Sequence, residues 1–172
     1  MKKINLKNVT HAINGTFNGC TQLVNVDAKK IKYGNGVFEK TGIKRLILPN
    51  AIGGNAADKG HFGSLVKQCY NCMVDMGPNL AYIGVSYCLF GSVTTIIRSK
   101  NFSLLAKNAF QSATRIYCTS EMYDYLKDTS YNSYTNVVYL IGGEQWIEQY
   151  GSADPYANLT PEEKAYYYPD AE

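Results

Sequence analysis

The sequence predicts an α/β solenoid, a stack of about five coils in which each coil adds one short strand to a parallel sheet. Three observations carry this. Val26, Leu46, Val74, Ile96 and Ile116 recur at intervals of 20, 28, 22 and 20 residues. Ala28, Leu48, Met76, Arg98 and Cys118 repeat those intervals two positions later, and Leu23, Ile43, Val93 and Ala113 form a third column that is unreadable in the third copy, between Cys69 and Met73. A phenylalanine (Phe17, Phe38, Phe90, Phe110) precedes the strand in four copies. Alternate residues of a strand face one side, so the columns define an inward ladder. One copy cannot bury its own apolar edge, whereas five stacked copies can.

Taken in chain order, residues 1–8 are expected to form an N-terminal arm and residues 9–120 the coils. Phe17, Phe38, Phe90 and Phe110 would fill the core on the return side, and Ile31, Ile52, Ile83 and Leu105 would close each coil. The surplus residues of the third copy suggest a loop insertion near 53–66, where Gly53-Gly54-Asn55 and Lys59-Gly60 have turn composition. Arg98 at an inward position implies a fourth coil partly open to water. Ser120 to Lys127 reads as a helix with a serine cap and acids in its first turn. Asn136 to Ile141 reads as a strand stopped by Gly142-Gly143, so residues 121–143 would cap the last coil. Tyr150 to Asn158 has linker composition, and Thr160-Pro161-Glu162-Glu163 has the N-cap, N1 and N3 residues of a final short helix.

The composition narrows the function classes. No apolar run approaches the roughly 20 residues that cross a bilayer. Lys2 and Lys3 are not followed by the apolar segment of a signal peptide, an expectation against ordinary secretion. Five cysteines, Cys20, Cys69, Cys72, Cys88 and Cys118, are an odd set that suits reduced, buried thiols. The net charge of +3 is too small to argue for nucleic acid. It is unevenly spread: from Glu144 onward seven acids face Lys164 alone, a net −6, which leaves +9 on the body. A basic body and an acidic tail can attract each other, or a neighbouring copy.

The repeat resembles the BspA-like leucine-rich repeats, found mainly in bacterial surface antigens and also in some phage and protist proteins. The residues that carry the likeness are Phe17 with Gly19-Cys20-Thr21 and Leu23, then Leu46-Ile47-Leu48-Pro49-Asn50, Asp75-Met76-Gly77-Pro78-Asn79, and Ile116-Tyr117-Cys118-Thr119-Ser120. The resemblance covers residues 9 to about 141. It implies a leucine-rich-repeat coil stack and adhesion to surfaces or proteins, though a fold hosts many tasks.

Residues that could do chemistry are few. Cys69-Tyr70-Asn71-Cys72 has redox or metal spacing, but a zinc site would need two further ligands and a redox pair a helix N-terminus. Buried repeat cysteines are the better reading. Of the two histidines, His11 and His61, the second has Asp58 and Ser64 nearby in sequence, which gives no reason to expect triad geometry. The glycine pairs lack the spacing and lysine of a phosphate loop.

A non-catalytic binding or structural module is therefore expected, with no cofactor and no metal. A phage virion protein (tail, fibre or capsid decoration) reconciles surface adhesion with the missing signal peptide. A fragment of a secreted bacterial adhesin, at the cell surface, is one rival, and a small hydrolase or redox protein using His61 or Cys69 and Cys72, cytoplasmic, is another. Partners would be proteins, copies of the chain, or a surface glycan, without nucleic acid or membrane insertion. Two surfaces are expected to carry recognition. The first is an open sheet face presenting Arg45, Ile47, Asp75, Thr95, Ile97, Arg115 and Tyr117, together with Asn25, Asp27 and Met73. The second is an acidic, tyrosine-rich docking tail, residues 144–172, with Trp146, Tyr150, Tyr156, Tyr166, Tyr167 and Tyr168 as aromatic anchors.

Overall fold

The chain is a parallel β-solenoid of about five turns with a few helices. The computed structural model describes residues 2–12, 15–53, 62–84, 87, 91–104, 109–111, 113–128 and 137–171. In chain order the elements are β1 (Lys3–Asn5), β2 (His11–Ala12), β3 (Asn25–Asp27), β4 (Tyr33–Gly34), β5 (Arg45–Leu48), β6 (Tyr70–Met76), β7 (Tyr82–Ile83), β8 (Ser92–Ile97), β9 (Ser103–Leu104) and β10 (Ala113–Cys118). There follow α1 (Ser120–Lys127), β11 (Val138–Leu140), α2 (Glu144–Tyr150) and α3 (Pro161–Tyr167).

The main sheet has seven parallel strands in the order β1-β3-β5-β6-β8-β10-β11. Its first strand lies in the segment expected to be an arm, and its last lies in the expected cap, so both extend the sheet at its ends. On the return side β2 pairs with β4 and β7 with β9. Backbone bonds from Ile52 N to the Lys32 carbonyl (2.9 Å) and from Ala81 N to the Ile52 carbonyl (2.7 Å) link those pairs into a second wall. A third side is made of stacked turns, where Phe17 N donates to the Val37 carbonyl (3.0 Å) and Phe38 N to the Leu65 carbonyl (3.0 Å).

The inward ladder is Ile4, Val26, Leu46, Val74, Thr95, Ile116 and Val138. Thr95 replaces the expected Ile96. The intervals into and out of the fourth copy are 21, because one residue is absorbed by register irregularities between Tyr70 and Cys72 and between Ala113 and Arg115. Ile97 therefore points into the core beside Met76 and Cys118, while Ile96 and Arg98 lie on the outward face. The inference that Arg98 opens the fourth coil to water is overturned: Arg98 is buried, on the other side of the sheet. The missing member of the third column is Cys72, paired with Val93 and thence with Ala113.

The core takes in Leu46, Leu48, Val74, Met76 and Ile97 from the strands and Leu23 from the turn before β3, with Ile31 and Ile83 from the return wall. Phe38 is fully buried and stacks on Phe17 at 5.8 Å; Phe110 is also buried, Ile52 is half-buried, and Phe90 and Leu105 lie outside the described residues. Of the expected loop insertion near 53–66, Phe62, Leu65 and Val66 are buried core residues, and residues 54–61 lie outside the described residues. Glycine and non-glycine positions share left-handed geometry from coil to coil: Gly19 (φ 76°), Lys40 (φ 55°) and Gln68 (φ 57°) occupy one turn position, joined by bonds from Gly19 N to Glu39 and from Lys40 N to Lys67.

Leu46 sits within the ladder, between Val26 and Val74, with no exposed surface. Leu46→Ala is expected to cost about 3 kcal/mol through lost transfer energy and the cavity left behind. A urea midpoint unchanged from the parent chain would contradict its placement.

Candidate functional site

The outward face of the main sheet gathers most of the residues singled out for recognition, but it is not open. Two columns run across it: Asn25, Arg45, Met73, Thr94 and Arg115, then Ile47, Asp75, Ile96, Tyr117 and Tyr139. Thr95 and Ile97 are absent from this face, for the register reason given above. The segment from Gly142 to Ala171 turns back over the sheet and covers the second column. Ile47 is 5% exposed, and Asp75, Ile96 and Tyr117 have no exposed surface. This column is apolar apart from Asp75, with Ile96 standing where Ile97 was expected, and the chain's own tail covers it.

Local sequence explains how the tail lands. Gly142 (φ 76°) turns the chain after β11, and α2 ends on Gly151 (φ 78°), a left-handed residue whose N–H reaches the Ile147 carbonyl (2.7 Å). Between them α2 presents Trp146 to the sheet. The indole packs edge-on against Tyr117 (5.2 Å), contacts Tyr150 (4.5 Å), and donates from Nε1 to the Asp154 carbonyl at 2.9 Å. Arg115 reaches Gln149, and Tyr117 donates its hydroxyl to the Gln145 carbonyl at 3.4 Å. The stretch expected to be a linker is thus folded onto the body.

The final helix follows its sequence signature. Thr160 accepts from Glu163 N (3.2 Å) and Glu163 accepts from Thr160 N (3.0 Å), with Pro161 in the first turn. By contrast, α1 begins at Ser120 after an N-cap at Thr119 that makes no side-chain cap bond, so the expected serine cap is not formed. From α3, Glu163 pairs with Arg45 (2.7 Å), whose guanidinium also donates to the Asn158 carbonyl (3.1 Å). Tyr166 donates to Asp27 (2.9 Å), and Lys29 reaches both the Tyr166 carbonyl and its ring. Of the salt bridges among the described residues, Glu163 with Arg45 is the one that joins an acid of the tail to a cation of the body.

Under the tail lies a closed polar cluster. Arg98 donates from Nε to Asp75 Oδ1 (2.8 Å) and from Nη2 to Asp75 Oδ2 (2.7 Å), a two-pronged pair whose side chains are 5% and 0% exposed. Tyr168 donates to Asp75 Oδ1 (2.8 Å), and Asn158 Nδ2 donates to Asp75 Oδ2 (2.8 Å). Arg98 further reaches Asn158 Oδ1 (2.9 Å) and the Pro155 carbonyl (2.7 Å), and its guanidinium lies over Tyr156 at 4.1 Å and Tyr168 at 5.1 Å. Asp75 accepts four bonds, the capacity of an ionised carboxylate. Burial works against the Arg98 charge, but the Asp75 carboxylate more than restores it and holds the guanidinium above its ordinary value. Sequence reasoning missed this cluster. The signal was an acid inside β6 and a cation directly after β8, Asp75 and Arg98, each beside apolar strand residues.

The chemical candidates are placed as follows. Cys69 is buried, donates to the Phe38 carbonyl (3.1 Å) and lies 3.5 Å from the Thr41 hydroxyl; burial pushes its thiol up. Cys72 is buried in the inward column, and burial pushes Cys118 up to about 12. These are the opposite of the electropositive, accessible settings that activate a thiol. His11 is exposed and stacks on Tyr33 at 4.6 Å. His61 and Asp58 lie outside the described residues, as does Cys88. Among the described residues no group of three or more His, Cys, Asp or Glu is placed to hold a metal, and no helix is long and apolar enough to cross a membrane.

No family model, curated protein or solved structure matches this chain. The functional reading therefore rests on the geometry of the covered face.

Several tail tyrosines titrate above their ordinary value. Burial pushes Tyr150 and Tyr167 up to about 12, and Tyr168 is raised by burial first and by Asp75 next. A phenol raised above its unfolded value of about 10 contributes in full below that pH. The contribution is lost as pH rises through the folded value. Stability is thus expected to hold to about pH 10 and to fall between about 10 and 12. A urea midpoint that stays constant through that window would contradict tail burial.

Proposed function

We propose that the chain is a non-catalytic binding or structural module that serves within an assembled particle, a phage tail, fibre or capsid decoration protein being the form we favour. The observation that supports this most is the closed cluster of Asp75, Arg98, Asn158 and Tyr168. These buried polar groups bond one another and hold the tail to the sheet, which suits a scaffold and leaves the Asp75 carboxylate no lone pair for a substrate. Buried, raised thiols at Cys69 and Cys118 fit the same reading.

Within it, the coils are BspA-like leucine-rich repeats, a family whose surface antigens imply adhesion. The test has two arms. Antibody against the purified chain is expected to label virions banded on a density gradient from the source culture. Esterase, peptidase and disulfide-reductase assays are expected to give no turnover that Cys69→Ser with Cys72→Ser removes. Turnover abolished by that double substitution would establish the redox alternative in its place.

A further inference from the structure

Both outermost strands of the main sheet keep one edge unpaired among the described residues. At the first strand, the Lys2 carbonyl accepts from Asn25 N (3.2 Å) and Leu6 N donates to the Asp27 carbonyl (2.7 Å). Successive residues of a strand address opposite edges, so Lys3 and Asn5 direct their N–H and C=O groups outward. At the last strand, the Val137 carbonyl accepts from Ile116 N (3.0 Å) and Ile141 N donates to the Cys118 carbonyl (2.9 Å). Val138 and the Leu140 N–H are left for the outer edge.

The two edges fit each other in register. Setting Ile4 of a second copy beside Val138 continues the inward ladder that runs from Ile4 to Val138 within one copy. The same placement brings Asn5 beside Tyr139 on the outward side. Hydrogen-bond parity and inside-outside parity are met together.

Charge selects this pairing over a symmetric one. Lys2, Lys3 and Lys7 are exposed around β1, and no acid precedes Asp27. The helices packed on β11, α1 and α2, carry exposed Asp124, Glu144 and Glu148 against Lys127, and Asp128 follows α1. Edge lysines ordinarily guard a strand against pairing. Here they repel another β1 edge and suit the acidic end. Three of the large apolar side chains left exposed also gather at that end: Val137 (44%), Leu140 (38%) and Ile147 (43%).

We propose that the chain stacks head to tail with further copies of itself, the outer edge of β1 in one copy adding to the outer edge of β11 in the next. The contact is heterologous, so each added copy presents a fresh acceptor edge and growth continues until ends are blocked. The inference rests on the assembly reading above and deepens it by naming the partner.

Sedimentation of the full chain at low salt is expected to show mass rising with concentration from the 19.1 kDa monomer, and reverting at high salt. Lys3→Pro and Leu140→Pro each remove an outward N–H without touching an internal bond, and each variant alone is expected to remain monomeric. Mixed in equal amounts they are expected to form a heterodimer that grows no further, because one intact edge of each kind remains. Should either proline variant fail to fold by circular dichroism, Lys3→Glu and Ile147→Lys replace them with the same expectation. A parent chain that is monomeric at all concentrations overturns the inference, as does continued dimerisation of Lys3→Pro alone. Either result leaves the binding-module reading to its own test on virions and turnover.

Discussion

Asp75→Ala is expected to cost about 3–5 kcal/mol, because it leaves the Arg98 guanidinium buried without its counter-charge. Asn158 and Tyr168 lose their acceptor in the same step. Against a total stability of about 5–15 kcal/mol, the cheaper outcome is release of the tail from the sheet. The single tryptophan, Trp146, has no exposed surface and reports that release directly. Its emission should shift to the red in the variant under conditions where the far-ultraviolet dichroism of the coils persists. Replacing both charges, Asp75→Leu with Arg98→Met, should recover most of the loss, since well-packed apolar pairs can substitute for a buried ion pair. A loss below about 1 kcal/mol for Asp75→Ala would remove the cluster as the tail's anchor.

Trp146→Ala should have an effect of similar size, about 3–5 kcal/mol, from lost burial, the edge-on contact with Tyr117 and the bond to the Asp154 carbonyl. The damage should be regional. Amide hydrogen exchange is expected to accelerate across α2 and α3 while amides of β5, β6 and β8 keep their protection. Tail amides that exchange as slowly as in the parent chain would show that the indole does not hold the tail down.

How much of this was legible beforehand depends on which faces of a strand are buried. The ladder from Val26 to Val74 could be read because β3 and β5 keep a polar residue outward at Asn25 and Arg45. In β8 the run Thr95-Ile96-Ile97 is buried by the core on one side and by the tail on the other, so the alternation that fixes register disappears. The irregularity between Ala113 and Arg115 then absorbed the residue that a constant interval could not. The capping box of α3 was legible because its bonds are local. The docking of α3 was half legible, since its acid Glu163 meets Arg45, but charge alone does not say whether the basic surface belongs to the same molecule, and α2 docks through Trp146 and Tyr150 instead. The Asp75 and Arg98 pair joins residues 23 apart, a coil's length plus a diagonal step, and only the register makes them neighbours.

A simple repeat array gains its stability from nearest neighbours and can fray one coil at a time. The tail changes that arithmetic. Its bonds reach from Tyr166 to Asp27, from Glu163 to Arg45, from Tyr168 to Asp75 and from Gln149 to Arg115, sequence separations of 139, 118, 93 and 34 residues. Each coil from β3 to β10 is thereby tied to a segment made after all of them during synthesis. Coils can form as the chain emerges, but the array closes into one cooperative unit only when residues 144–171 have arrived. Long-range contacts of this kind form slowly and, once formed, must break before interior coils can open. The tail therefore works as a lengthwise strap, making resistance to unfolding a property of chains that carry residues 144–171.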